Sequence, residues 1–148
     1  DRITFIGSGR LGMPESALMG FALGCDMIGV AREALMAVGC IQAQRCHTWH
    51  CPTGVATQSK WLMRGLDPTD KAARLANYVV TLRKELLRLS HAIGVIHPSL
   101  VTGAHCEILD ERFGAQDRAD LFGYRPGWGL PGESDRALLA RTMQAQAG

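Results

Sequence analysis

Apolar residues fall along this chain in short blocks near its start and in one long stripe at its middle. Ile3-Thr4-Phe5-Ile6 is an unbroken β-rich block that stops at Gly7-Ser8-Gly9, the pattern of a strand buried on both faces and entering a tight turn. Pro14 then stands at a first helical position with Glu15 in the first turn, and Ala17, Leu18, Phe21 and Ala22 recur at helical spacing until Gly24. Asp26-Met27-Ile28-Gly29-Val30 repeats the strand block, and a second helix is predicted from about Ala31 to Val38, with Gly39 as its stop. The order β, α, β, α predicts parallel strands joined by helical crossovers, an α/β arrangement.

The stripe begins after Asp67-Pro68-Thr69-Asp70, where Asp67 suits an N-cap, Pro68 a first position and Asp70 the positive end of the helix dipole. Ala72, Leu75, Val79, Leu82, Leu86, Leu89 and Ile93 follow at steps of three and four up to Gly94, predicting a long amphipathic helix that packs on the sheet. Beyond Ile96 the pattern thins. Ser99 to Phe113 is read as one or two short helices, and the glycine- and proline-rich run Gly123 to Gly132 as a loop whose Trp128 packs against the body. Ser134 to Gln146 is read as a weak terminal helix capped by Ser134. His91, His105 and Cys106 are read as structural.

Composition narrows the classes. In 148 residues, 47% are hydrophobic and 20% charged, which suits a globular protein with a core. A net charge of +2, with arginines scattered and no interleaved aromatics, gives no ground for a nucleic-acid partner. The apolar stretches are broken by Asp26, Arg32, Glu33 and Arg45, well short of the roughly 20 apolar residues of a membrane span. We therefore expect a soluble, cytoplasmic protein. An opening Asp-Arg-Ile-Thr with neither signal peptide nor initiator methionine leads us to expect part of a longer polypeptide.

The chemistry concentrates between Gly39 and Gln58, where three of the five cysteines, Cys40, Cys46 and Cys51, stand at Cys-x5-Cys-x4-Cys spacing. Thiolates are soft ligands, and a flexible loop can turn three onto one centre. Three is one short of a four-thiolate cubane or zinc site, so either His47 or His50 completes the set or the centre is a cluster lacking one iron. Five cysteines leave one over in any disulfide scheme, and nothing else points to secretion. Two further groups lie where parallel strands end and ligands gather: Ser8-Gly9-Arg10 and Gly29-Val30-Ala31-Arg32. Each turn pairs glycine-freed backbone N–H groups with an arginine, a workable anion site.

On Gly39-Cys40, Cys46-His47, Cys51 and Thr53-Gly54-Val55-Ala56-Thr57-Gln58, within a match running from about Arg2 to Gln58, the chain resembles the FMN-binding domain of the glutamate synthase family. The helix from Asp67 to Gly94 fits it more loosely. The resemblance implies that the chain is the C-terminal fragment of a (βα)8 barrel, its last two βα units, with residues 1–95 in that domain and 96–148 an extension. It implies that Cys40, Cys46 and Cys51 hold a 3Fe-4S cluster, and that the turns at Ser8, Gly9, Arg10 and at Gly29, Val30, Ala31, Arg32 grip the FMN phosphate. Arg10 and Ala31 stand where the larger enzymes of the family carry glycine, crowding that approach, although Arg10 and Arg32 could offset this with charge-assisted bonds.

The implied reaction is reduction of 2-iminoglutarate, formed from 2-oxoglutarate and glutamine-derived ammonia, to L-glutamate. Electrons would come from an NAD(P)H-linked subunit or ferredoxin. Residues facing the flavin ring and substrate would lie in the first six barrel strands, outside this sequence. Alternatives are a non-enzymatic zinc module using His47 or His50, and an FMN barrel acting on another substrate. A sheet of two strands leaves an open edge, so we expect the chain not to fold stably or turn over alone.

Overall fold

A computed structural model describes residues 3–109 and 114–147 of the chain. The first strand, β1 (Ile6–Ser8), leads into helix α1 (Pro14–Ala22), strand β2 (Met27–Gly29) and helix α2 (Arg32–Ala37), in the βαβα order that the apolar blocks predict. β1 and β2 pair in parallel with Ile6 opposite Met27 and Ser8 opposite Gly29. The loop that follows carries two 3-10 turns, Cys46–Thr48 and Leu62–Gly65, before helix α3 (Pro68–Ala92). α3 starts where the sequence places it because the Asp67 carboxylate accepts from the Thr69 N–H at 2.9 Å and the Asp70 N–H at 3.4 Å, while Pro68 needs no donor there.

The core lies where α3 crosses α1 and α2, and α1 turns its small residues Ala17, Gly20 and Ala22 inward. Small side chains let helix backbones approach closely, so Leu86 and Ser90 of α3 are buried there. Two expectations are corrected. α3 makes its main contacts with helices and not with the strands, and its inward line runs through Leu75, Tyr78, Leu82 and Leu86 while Val79 is exposed. The strands are not buried on both faces either: Ile3, Ile6 and Met27 are 72%, 66% and 56% exposed, since helices cover only one side of a two-stranded sheet.

From residue 98 the chain folds back over α1. Residues 99–109 do not form the predicted helices: two 3-10 turns, Pro98–Leu100 and Gly103–His105, lead into strand β3 (Glu107–Leu109), and the rest of that prediction, 110–113, lies outside the described residues. β3 pairs antiparallel with β4 (Ala115–Asp117). Helices α4 (Arg118–Phe122) and α5 (Glu133–Ala147) follow. Ser134 lies inside α5 and is not its cap. Trp128 is largely exposed, but its ring meets Tyr124 edge-on at 5.0 Å.

His97 starts this return. Its Nδ1 accepts from the Ser99 N–H at 3.2 Å and lies 2.7 Å from the Ser99 hydroxyl, so the neutral ring caps the Pro98 turn. Burial first, then the nearby Arg83, holds its pKa below the ordinary 6.5. Because the folded state disfavours the proton, this contribution is fully present above about pH 6.5 and is lost as pH falls through the lowered folded value. The protection of the Ser99 amide, corrected for the intrinsic pH dependence of exchange, is expected to fall below about pH 6.5 in the parent and to lose that dependence in His97→Asn.

Candidate functional site

Register fixes the first part of the site. Because Ser8 and Gly29 are partners across the parallel pair, the turns after β1 and β2 leave the same end of the sheet side by side. Ser8 is the last strand residue, and Gly9 (φ 117) and Arg10 (φ 56) turn the chain into α1. A left-handed arginine costs roughly 1–2 kcal/mol relative to the usual backbone. Ala31 has φ −121 and carries no such strain. Arg10 and Arg32 are exposed and Val30 is half-buried, so two cations and two sets of turn amides border one open end.

The turn after β1 is held from behind. The Tyr78 hydroxyl on α3 donates to the Gly12 carbonyl at 2.7 Å, and Glu33 of α2 lies so close that a Cβ at Gly12 would sit 2.4 Å from its carboxyl carbon. Tyr78 was not among the residues singled out from sequence, yet its place between Leu75 and Leu82 in the helical period was visible.

The cysteine loop is strained and well hydrogen-bonded. Gln42, Gln44 and Trp49 have φ of 54, 55 and 64, and left-handed non-glycine residues persist only where surroundings hold them, commonly at functional loops. The Thr57 hydroxyl donates to the Trp49 carbonyl. Cys51 is buried, Cys40 half-buried and Cys46 exposed. The Cys51 thiol is drawn from 9.0 down to about 7 by the Thr53 hydroxyl first, then by backbone bonds from Ala56, Thr53 and Val55, against the opposing effect of burial. Cys40 Sγ in turn accepts from the Gln42 N–H at 3.4 Å. Among the described residues, no three His, Cys, Asp or Glu side chains are gathered closely enough to close around a metal ion. The donor chemistry nevertheless fits a thiolate-bound cluster, because N–H groups aimed at sulfur stabilise the anionic ligand form. His50 turns its Nδ1 to the Thr48 carbonyl at 2.6 Å.

Gly54 makes this pocket possible. Its φ is +78, and an added Cβ would lie 2.7 Å from the Leu62 carbonyl oxygen. Gly54→Ala combines left-handed strain with a backbone clash, an expected loss of about 2–4 kcal/mol. Protease cleavage between 51 and 66 should then rise steeply; an unchanged cleavage pattern would contradict this packing.

With that geometry in place, comparison with known proteins is informative. The conserved region in glutamate synthase matches residues 1–96, and the chain belongs to this family. It is 39% identical over 98 residues to a glutamate synthase large subunit-like protein, YerD, of Bacillus subtilis, covering 66% of this chain and 19% of that protein. An archaeal NADPH glutamate synthase of Methanocaldococcus jannaschii is 34% identical over 95 residues, 64% of this chain and 19% of the relative. The ferredoxin-dependent glutamate synthase of Pyropia yezoensis is 30% identical over 103 residues, 70% of this chain and 7% of the relative. The chain thus spans about a fifth or less of the length of these relatives. No solved structure matches it. Among the described residues, no helix is long and apolar enough to cross a membrane.

Proposed function

We propose that the chain supplies the last two βα units of a (βα)8 barrel in a glutamate-synthase-type oxidoreductase, with residues 1–95 in the FMN-binding domain and 96–148 an extension. The observation that carries this reading is the match of residues 1–96 to the conserved region in glutamate synthase, with the strained Cys-x5-Cys-x4-Cys loop inside it. Amide donors on sulfur stabilise a thiolate ligand of either an iron-sulfur cluster or a zinc ion, so metal analysis separates the two. Exposed Ile3, Ile6 and Met27 support completion of the sheet by further strands.

On this reading Cys40, Cys46 and Cys51 hold a 3Fe-4S cluster. Backbone amides of Ser8, Gly9 and Arg10, and of Gly29, Val30, Ala31 and Arg32, hold the FMN phosphate, with the two arginines adding charge. When bound, these groups supply the redox chemistry that converts 2-oxoglutarate and glutamine-derived ammonia to L-glutamate; the chain's own residues bind and orient them. Relatives that use NADPH or ferredoxin favour one of those electron donors here, in the cytoplasm. Anaerobic purification of the whole polypeptide tests the proposal: it should carry flavin, iron and labile sulfide and form glutamate. Zinc without iron or sulfide would overturn it, and a loaded flavoprotein that forms no glutamate would leave an FMN barrel for another substrate.

A further inference from the structure

We propose that Tyr78 is a positioning residue for the turn after β1, its hydroxyl bond to the Gly12 carbonyl holding residues 9–12 in the shape that receives a phosphate monoester. The inference rests on the reading of that turn as the FMN phosphate site. It starts from the strain at Arg10, whose φ of 56 is unfavourable for a side chain of that size. Such a conformation needs outside support. The turn's own sequence offers little, since Gly7, Gly9 and Gly12 leave it the loosest stretch of the βα unit.

Support comes from the third turn of α3. The Tyr78 hydroxyl reaches Gly12 over a separation of 66 residues at 2.7 Å, and Gly12 is buried between it and Glu33. A phenylalanine would fill the same space, so the hydroxyl is the part that packing does not explain. Burial first, and the Glu33 carboxylate second, raise the Tyr78 pKa, keeping the phenol a proton donor at working pH. Because α3 begins where the cysteine loop ends, one rigid helix anchors both the loop and the turn.

Tyr78→Phe in the whole polypeptide, titrated with FMN and separately with riboflavin, tests this, because riboflavin lacks the phosphate. One lost hydrogen bond should raise the FMN Kd roughly fivefold and leave the riboflavin Kd unchanged. Amide exchange at residues 9–12 should quicken while that of α3 does not, a readout that holds even if binding cannot be measured in the variant. An unchanged FMN Kd, an equal loss for both flavins, or unchanged exchange at 9–12 would overturn the role of Tyr78. If the unsubstituted protein binds FMN no better than riboflavin, the phosphate-turn reading falls, and the positioning role with it.

Discussion

Cys51→Ser is expected to strip the protein of iron and acid-labile sulfide almost completely while leaving bound flavin near its parent level. Of the three loop thiols Cys51 is the buried one, and its sulfur faces the Thr53 hydroxyl at 3.4 Å with backbone donors from Thr53, Val55 and Ala56 around it. A serine would occupy nearly the same volume, so the pocket itself survives. Its hydroxyl, however, stays protonated where a thiol near 7 is half ionised, and iron is held by the anion. The exposed Cys46 should behave likewise if it is a ligand, although no pocket pre-forms around it. His47→Ala provides the contrast, since a three-thiolate cluster does not require the imidazole. The measurement is iron and sulfide per flavin on anaerobically prepared protein, with the cluster's electron paramagnetic resonance signal. Full iron and sulfide in Cys51→Ser, or their loss in His47→Ala alone, would sink the three-cysteine assignment.

How far the sequence anticipated the structure depends on whether local or distant contacts decide each element. α3 was legible almost to the residue because Asp67, Pro68 and Gly94 set its ends through bonds within one turn. β1 and β2 were found but misplaced by up to three residues: Ile3 to Phe5 lie ahead of the pairing, which is set by the partner strand. Their expected burial failed for a related reason, since it depends on neighbouring strands and each of the two has only the other beside it among the described residues. The hairpin of β3 and β4 carried no alternating pattern, with Glu107, Gln116 and Asp117 in its six paired residues, and so read as helix or connector. In the site, the spacing of Cys40, Cys46 and Cys51 and the paired glycine turns were visible. The second rank was not: Tyr78 was passed over in favour of Val79, because both fit a stripe of threes and fours.

Arg118 is the least anticipated residue, and its loss is expected to lower stability strongly. It is 2% exposed. One guanidinium nitrogen, Nη2, donates to the carbonyl of Ala22, at the C-terminal end of α1 where unpaired carbonyls concentrate negative charge. The face of Tyr124 lies 5.1 Å from its central carbon. It thereby pins α4 onto α1, beside a small cavity of about 100 Å³ lined by Phe5, Ala22, Val101 and Tyr124. Among the described residues Nε and Nη1 are buried without a hydrogen-bond partner, and each such donor offsets about 1–3 kcal/mol of what the other contacts contribute. Two substitutions separate packing from charge. Arg118→Ala removes the whole side chain and opens a void, an expected loss of about 3 kcal/mol. Arg118→Met keeps most of the volume and removes the unpaired donors together with the Ala22 bond and the ring contact; these nearly cancel, so it should stay within about 1 kcal/mol of the parent or exceed it. Hydrogen exchange across residues 101–124, or thermal unfolding, reads the difference directly. If methionine costs as much as alanine, the guanidinium's contacts with Ala22 and Tyr124 outweigh its unpaired nitrogens, and charge rather than volume holds α4 to α1.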